Sequence, residues 1–139
     1  MNFSALTFSS PAVIIHLLFA LAAFVLGGLQ LAATKGTRIH RILGYIWFAT
    51  MVVICLTSFG IQEVMPNGMF GGYSPIHLLS LFVLIQLGRG IYFAKNRNIK
   101  MHRRCMLFTY IGGLLIAGVF TFMPGRLLFK VALEPWLQN

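Results

Sequence analysis

The chain has 139 residues, of which 58% are hydrophobic and 9% charged, with a formal net charge of +9. A soluble domain carries about 25% charged residues, so this composition excludes a soluble globular core. Glu63 and Glu134 are the only carboxylate side chains, which excludes chemistry that needs paired acids.

Four apolar stretches, at about 12–33, 42–62, 75–94 and 104–123, each approach the roughly 20 helical residues needed to cross a hydrocarbon layer of about 30 Å. Helices are expected, because backbone groups in lipid must be satisfied within the segment. The opening "MNFSALTFSS" lacks the positive charge of a secretory leader, so the first stretch is read as a retained helix. Ser10-Pro11 and Ser74-Pro75 each set a cap residue before a proline at the first helical position. After Pro124, "GRLLFKVALEPWLQN" is too short to span; its Arg126, Lys130 and Trp136 among Leu and Phe suggest an interfacial segment.

The basic residues fall in alternate connections. Lys35, Arg38 and Arg41 lie in the first; Lys95, Arg97, Lys100, Arg103 and Arg104 lie in the third; "EVMPNGMFGGYS" between them has none. By the positive-inside pattern, connections one and three are expected inside, and both termini outside. The cations then set topology and meet anionic lipid, and no nucleic-acid partner is expected. Cys55 and Cys105 lie at different expected depths, so no disulfide is expected.

An internal repeat organises the chain. "IHLLFALAAFVLGGLQLAA" (15–33) aligns without gaps on "IHLLSLFVLIQLGRGIYFA" (76–94), and one inserted residue later "KGTRIHRI" (35–42) falls on "RNIKMHRR" (97–104). Each half, about 12–62 and 75–123, is a helix hairpin with a histidine near the start of each helix. Two hairpins in one orientation predict a parallel repeat. The simplest packing is an all-α four-helix transmembrane bundle, with helices one and three diagonal and two and four diagonal.

The four histidines, His16, His40, His77 and His102, occupy repeat-equivalent positions, one per helix. The bundle would gather His16 with His77 at one level and His40 with His102 at another, roughly 20 Å away at 1.5 Å per residue. Two facing imidazoles suit bis-histidine ligation of a haem iron. Steps of 4, 7 and 11 residues from the histidines meet small residues at several places, among them Ala20, Ala23 and Gly27, and Gly88 and Gly113. A flat macrocycle could use them, and so could ordinary helix packing. Haem ligation, another metal or proton role, and structural polar contacts stay open for the histidines. Arg41 and Arg103 suit haem propionates or positive-inside anchoring. Arg89 is read as snorkelling, or as meeting a propionate or Gln30.

His-Arg at the start of a core helix with one histidine per helix resembles the dihaem cytochrome b561 group. A closer resemblance is to small bacterial membrane proteins of unknown function, with "H…KGxxxHRxxG" and "H…HRxxM" halves. The resemblance covers about residues 15–126. It implies two haems b, one held by His16 and His77 and one by His40 and His102, and a place in the bacterial inner membrane with periplasmic termini. It also implies electron transfer between a quinol or other small redox molecule and an acceptor.

Two function classes follow. One is a transmembrane electron-transfer cytochrome b, an oxidoreductase activity. The other is a non-enzymatic accessory, assembly or haem-handling subunit, as a homodimer or in a larger complex. The 63–76 connection could lid a quinone site or simply join two helices. The charge asymmetry makes a direct prediction: a phosphatase active only outside the cell is active when fused after residue 70 and inactive when fused after residue 96. The reverse pattern would overturn the orientation.

Overall fold

Two polar turns position the four helices, and both are built on one plan. The computed structural model describes residues 11–60 and 75–122, together with Phe129. The Ser10 and Ser74 caps, most of the 63–76 connection and the segment after Pro124 lie outside the described residues. Helix α1 (Pro11–Ala32) is followed by Gly36 at φ +82°. Lys35 Nζ donates to the carbonyls of Leu31 and Ala33, at a helix end short of backbone donors. Thr37 then caps α2 (Arg38–Gly60), its hydroxyl oxygen accepting from the His40 N–H at 3.1 Å.

Helix α3 (Pro75–Lys95) ends in a Schellman turn. The Asn98 N–H donates to the Phe93 carbonyl at 2.9 Å and the Arg97 N–H to the Ala94 carbonyl at 3.2 Å. Arg97 supplies the left-handed residue, at φ +58°, in a place that glycine usually takes. Asn98 caps α4 (Ile99–Thr121), its side chain accepting from the Met101 N–H at 3.2 Å.

The turns correct two expectations. Helices α2 and α4 begin before their apolar stretches do, because capping rather than hydrophobicity fixes a helix start. The inserted residue of the second half also sits later than the alignment puts it. Gly36 matches Arg97 and Thr37 matches Asn98, each 61 residues on, whereas His40 and His102 are 62 apart. The extra residue therefore lies in the first turn of α4, and His102 sits one position deeper in its helix than His40.

All four helices are long and apolar enough to cross a membrane, and Leu18, Val25, Leu78 and Val119 are among many large apolar side chains turned outward. Helix α1 packs along α2 and α3 along α4; α2 meets α3, and α4 meets α1 through its middle segment. Helices α1 and α3 are thus diagonal, as are α2 and α4. Trp47, Met51, Ile54, Cys55, Val83, Leu87 and Leu114 fill the centre around Ala23. Met51 and Gly113, 62 residues apart, face each other across the diagonal: a Cβ built on Gly113 would lie 3.4 Å from Met51 Cε.

Helix α4 carries a feature that the periodicity does not signal. Residues Ile111–Ile116, "IGGLLI", form a π-helical segment. Two adjacent glycines weaken the α-helical preference there, and Val83 of α3 presses on Gly113, where a Cβ would lie 2.8 Å from Val83 Cγ2. The small-residue stripe also needs correction. It holds on α1, where Ala23 and Gly27 are buried, and fails on α3, where Leu81 and Gly88 are exposed. The inward face of α3 runs instead through His77, Ser80, Val83, Leu87 and Gly90.

Gly27 and Gly88 are equivalent in sequence and opposite in structure. A Cβ on Gly27 would lie 2.5 Å from the Tyr110 ring and 2.7 Å from Trp47 Nε1, whereas one on Gly88 meets nothing within 4 Å. Both aromatic rings are rigid and anchored: Trp47 Nε1 donates to the Ala23 carbonyl at 2.9 Å and the Tyr110 hydroxyl to the Phe24 carbonyl at 3.2 Å. Overpacking of this kind costs roughly 1–3 kcal/mol. Gly27→Ala should therefore lower the midpoint of thermal unfolding in detergent, while Gly88→Ala leaves it unchanged; equal effects would contradict the packing described.

Candidate functional site

The bundle has two polar ends, and the histidines divide between them as the repeat predicts. At one end α2 forms the hub. Thr57 donates to the carbonyls of its own helix at Val53 and Ile54, 2.8 and 3.0 Å away. With that proton committed, its oxygen accepts from His16 Nδ1–H of α1 at 2.9 Å. One residue on, Ser58 donates to the Cys55 carbonyl at 2.7 Å and shares a 2.6 Å hydrogen bond with Ser80 of α3. His77 is buried, with its ring 5.6 Å from that of Phe59.

His16 and His77 therefore both turn towards α2, which stands between their helices. Beside them lies a cavity of about 40 Å³, lined by His16, Cys55, Ser58, Ser80 and Gly113 among others. Thr57, Ser58 and Ser80 are site residues that the sequence reading passed over. Their signal was present: they are small hydroxyl residues near the ends of otherwise apolar helices, a common means of joining helices in membranes.

The other end is basic. His40 and His102 stand near the starts of the diagonal helices α2 and α4, with Lys35 in the turn before α2. His102 Nδ1 lies 2.8 Å from the Gly90 carbonyl of α3. A carbonyl only accepts, so Nδ1 carries the proton and the ring's lone pair rests on Nε2. The helices run close here, since a Cβ on Gly90 would lie 3.6 Å from Cys105 Cβ.

Gln30 crosses from α1 to donate through Nε2 to the His40 carbonyl at 2.6 Å, leaving its own Oε1 and His40 Nδ1 buried without partners. It does not meet Arg89, which is exposed and stacks over Phe93 at 6.0 Å. Arg41 and Arg103 are exposed beside the two histidines. Arg104 stacks over Phe108 at 5.6 Å. Cys55 and Cys105 are buried free thiols. Among the described residues no cluster of three or more His, Cys, Asp or Glu could hold a metal ion, so each end offers two histidines and not a ligand cage.

With this geometry in view, the chain belongs to the DUF2306 family of predicted membrane proteins, whose model matches residues 13–132. It is an integral membrane protein on that evidence and on its four apolar helices. Neither the curated proteins nor the solved structures contain a match.

The seam between α2 and α3 is open to a direct measurement. Interhelical hydrogen bonds in membranes average about 0.6 kcal/mol and reach about 1.7 kcal/mol. A double-mutant cycle of Ser58→Ala and Ser80→Ala should give a coupling in that range, and additive effects would show that the 2.6 Å contact contributes nothing.

Proposed function

We propose that this chain is a membrane redox protein that holds haem at its basic end through His40 and His102. The observation that carries the reading is the ring of His102, fixed by the Gly90 carbonyl, at the same end of the bundle as His40, whose Nδ1 is buried without a partner. An iron-ligating histidine characteristically gives its other N–H to a carbonyl or carboxylate, which fixes the ring and raises its basicity. His102 has that arrangement in place. His40 contributes the second imidazole, and its partnerless Nδ1 and the partnerless Gln30 Oε1 are the buried polar atoms expected beside a bound group.

The surroundings agree in charge. Arg41 and Arg103 stand beside the histidines, and no described residue carries a carboxylate side chain. Guanidinium groups pair well with carboxylates, so these two residues would hold the propionates. Haem bound there would supply one-electron chemistry; the protein supplies ligands, orientation and charge. Both histidines are half-buried at the helix starts, where access does not require opening the packed centre. Electrons would come from a quinol or another small reductant, as in the cytochrome b561 group that the sequence resembles.

The half-buried position of both histidines at the helix starts favours a second reading, a haem-handling or assembly subunit that releases its cargo. One experiment separates the two. A reduced-minus-oxidised spectrum of the purified protein should show a bis-imidazole b-type haem band that survives purification, and His40→Ala and His102→Ala should each abolish it. Haem that washes out while a larger complex co-purifies would favour the handling role. Absence of the band in cells with adequate haem would reject both.

A further inference from the structure

We infer that the end of the bundle carrying His16 and His77 is a water-binding site and not a second macrocycle site. The haem reading supplies only the contrast between the two ends; the hydration stands on its own observations. The cavity beside His16 measures about 40 Å³. One water needs ~10–15 Å³ of such space, so a few waters fit, whereas pockets for drug-sized ligands run to about 300–1,000 Å³. The wall cannot easily retreat. Ser58 and Ser80 fasten α2 to α3 at 2.6 Å, and the π segment brings Gly113 against both Met51 and Val83.

The hydrogen-bond inventory names the guest. His16 Nδ1–H is spent on Thr57, which leaves the neutral ring's lone pair on Nε2. Ser58 gives its proton to the Cys55 carbonyl, so within the shared contact it accepts from Ser80 and keeps a further acceptor site. A cavity of water dimensions with imidazole and hydroxyl acceptors in its wall calls for a small donor, and water has two protons to give. Most of the wall is apolar, but His16, Ser58 and Ser80 break it, and a void with such polar partners takes up water where a wholly apolar one stays empty. A single macrocycle site at the basic end then gives the chain one redox centre, and electrons enter and leave through that end or through a partner.

The test uses the full chain, isotope-labelled, in lipid bilayers. Water-edited solid-state NMR should show rapid polarisation transfer from water to the His16 side chain and to Ser58 and Ser80, with Leu87 and Leu114 dark. Ser80→Val, which removes a hydroxyl and fills space, should abolish the transfer to His16; Ser80→Ala, the gentler change, should reduce it. Haem measured on the same wild-type sample should be about one per chain, since one bis-histidine site takes one iron. A dry His16 in the wild type, or two haems per chain, overturns the inference. A hydrated His16 with no haem leaves the water site standing and rejects the haem reading alone.

Discussion

The structure depends on one constraint: inside a bilayer there is no water to complete a hydrogen bond. Each polar side chain facing the bundle must find a partner on its own helix or on a neighbour. Both carboxylates, Glu63 and Glu134, lie outside the described residues, so side-chain ion pairs hold none of the described helices together. The joining falls to a few hydrogen bonds. Trp47 to Ala23, Gln30 to His40 and His16 to Thr57 close the first hairpin, His102 to Gly90 closes the second, and Ser58 to Ser80 and Tyr110 to Phe24 join the hairpins. Several of the acceptors are backbone carbonyls, which is why small residues matter nearby. A side chain can reach a helix carbonyl only where the two helices approach closely, as at Gly27 and Gly90.

The same constraint explains why two related halves do not make a symmetric molecule. Gly27 and Gly88 descend to the same place in the repeat, yet only Gly27 receives an aromatic pair from the facing helices. Position 47 is tryptophan while its counterpart, 109, is threonine. Tryptophan needs an external acceptor for its indole N–H and takes the Ala23 carbonyl; Thr109 satisfies itself on Cys105 of its own helix at 3.0 Å. Hairpin one is thereby drawn tight around α2, and α4 is left to adjust. Its adjustment is the π segment, placed at paired glycines and level with the cavity. The asymmetry at the two histidine ends follows from these local choices and from the extra residue in the first turn of α4.

How much of this was legible beforehand can be judged residue by residue. Fold class, helix number and diagonal arrangement were readable, since apolar length and the hairpin repeat depend on many residues at once. The grouping of histidines by end was readable for the same reason. Helix starts were misjudged, because Thr37 and Asn98 act through a single hydrogen bond each, inside basic runs that look like loops. The inward face of α3 was misjudged because transferring the α1 stripe assumes equal rotation of the two helices, and Ser80 with Gly90 fixes a different one. The π segment and the contacts of Thr57, Ser58 and Gln30 depend on a neighbouring helix, and nothing in a single stretch of sequence encodes a neighbour's distance.

Three buried polar atoms lack partners among the described residues, Gln30 Oε1, His40 Nδ1 and Gln86 Oε1, and they bear on which end the proposed chemistry uses. An orphaned buried acceptor or ring nitrogen costs about 1–3 kcal/mol when nothing meets it, and a chain built so economically elsewhere has reason to keep it only where something binds. Two of the three stand together at the basic end, where Gln30 reaches His40. Among the described residues the opposite end leaves no fully buried side-chain polar atom without a partner; the acceptors that remain there face a water-sized void. One end is thus a seam with room for water, and the other leaves buried polar atoms without a protein partner. The proposed haem would complete it, and Arg41 and Arg103 stand exposed at that end.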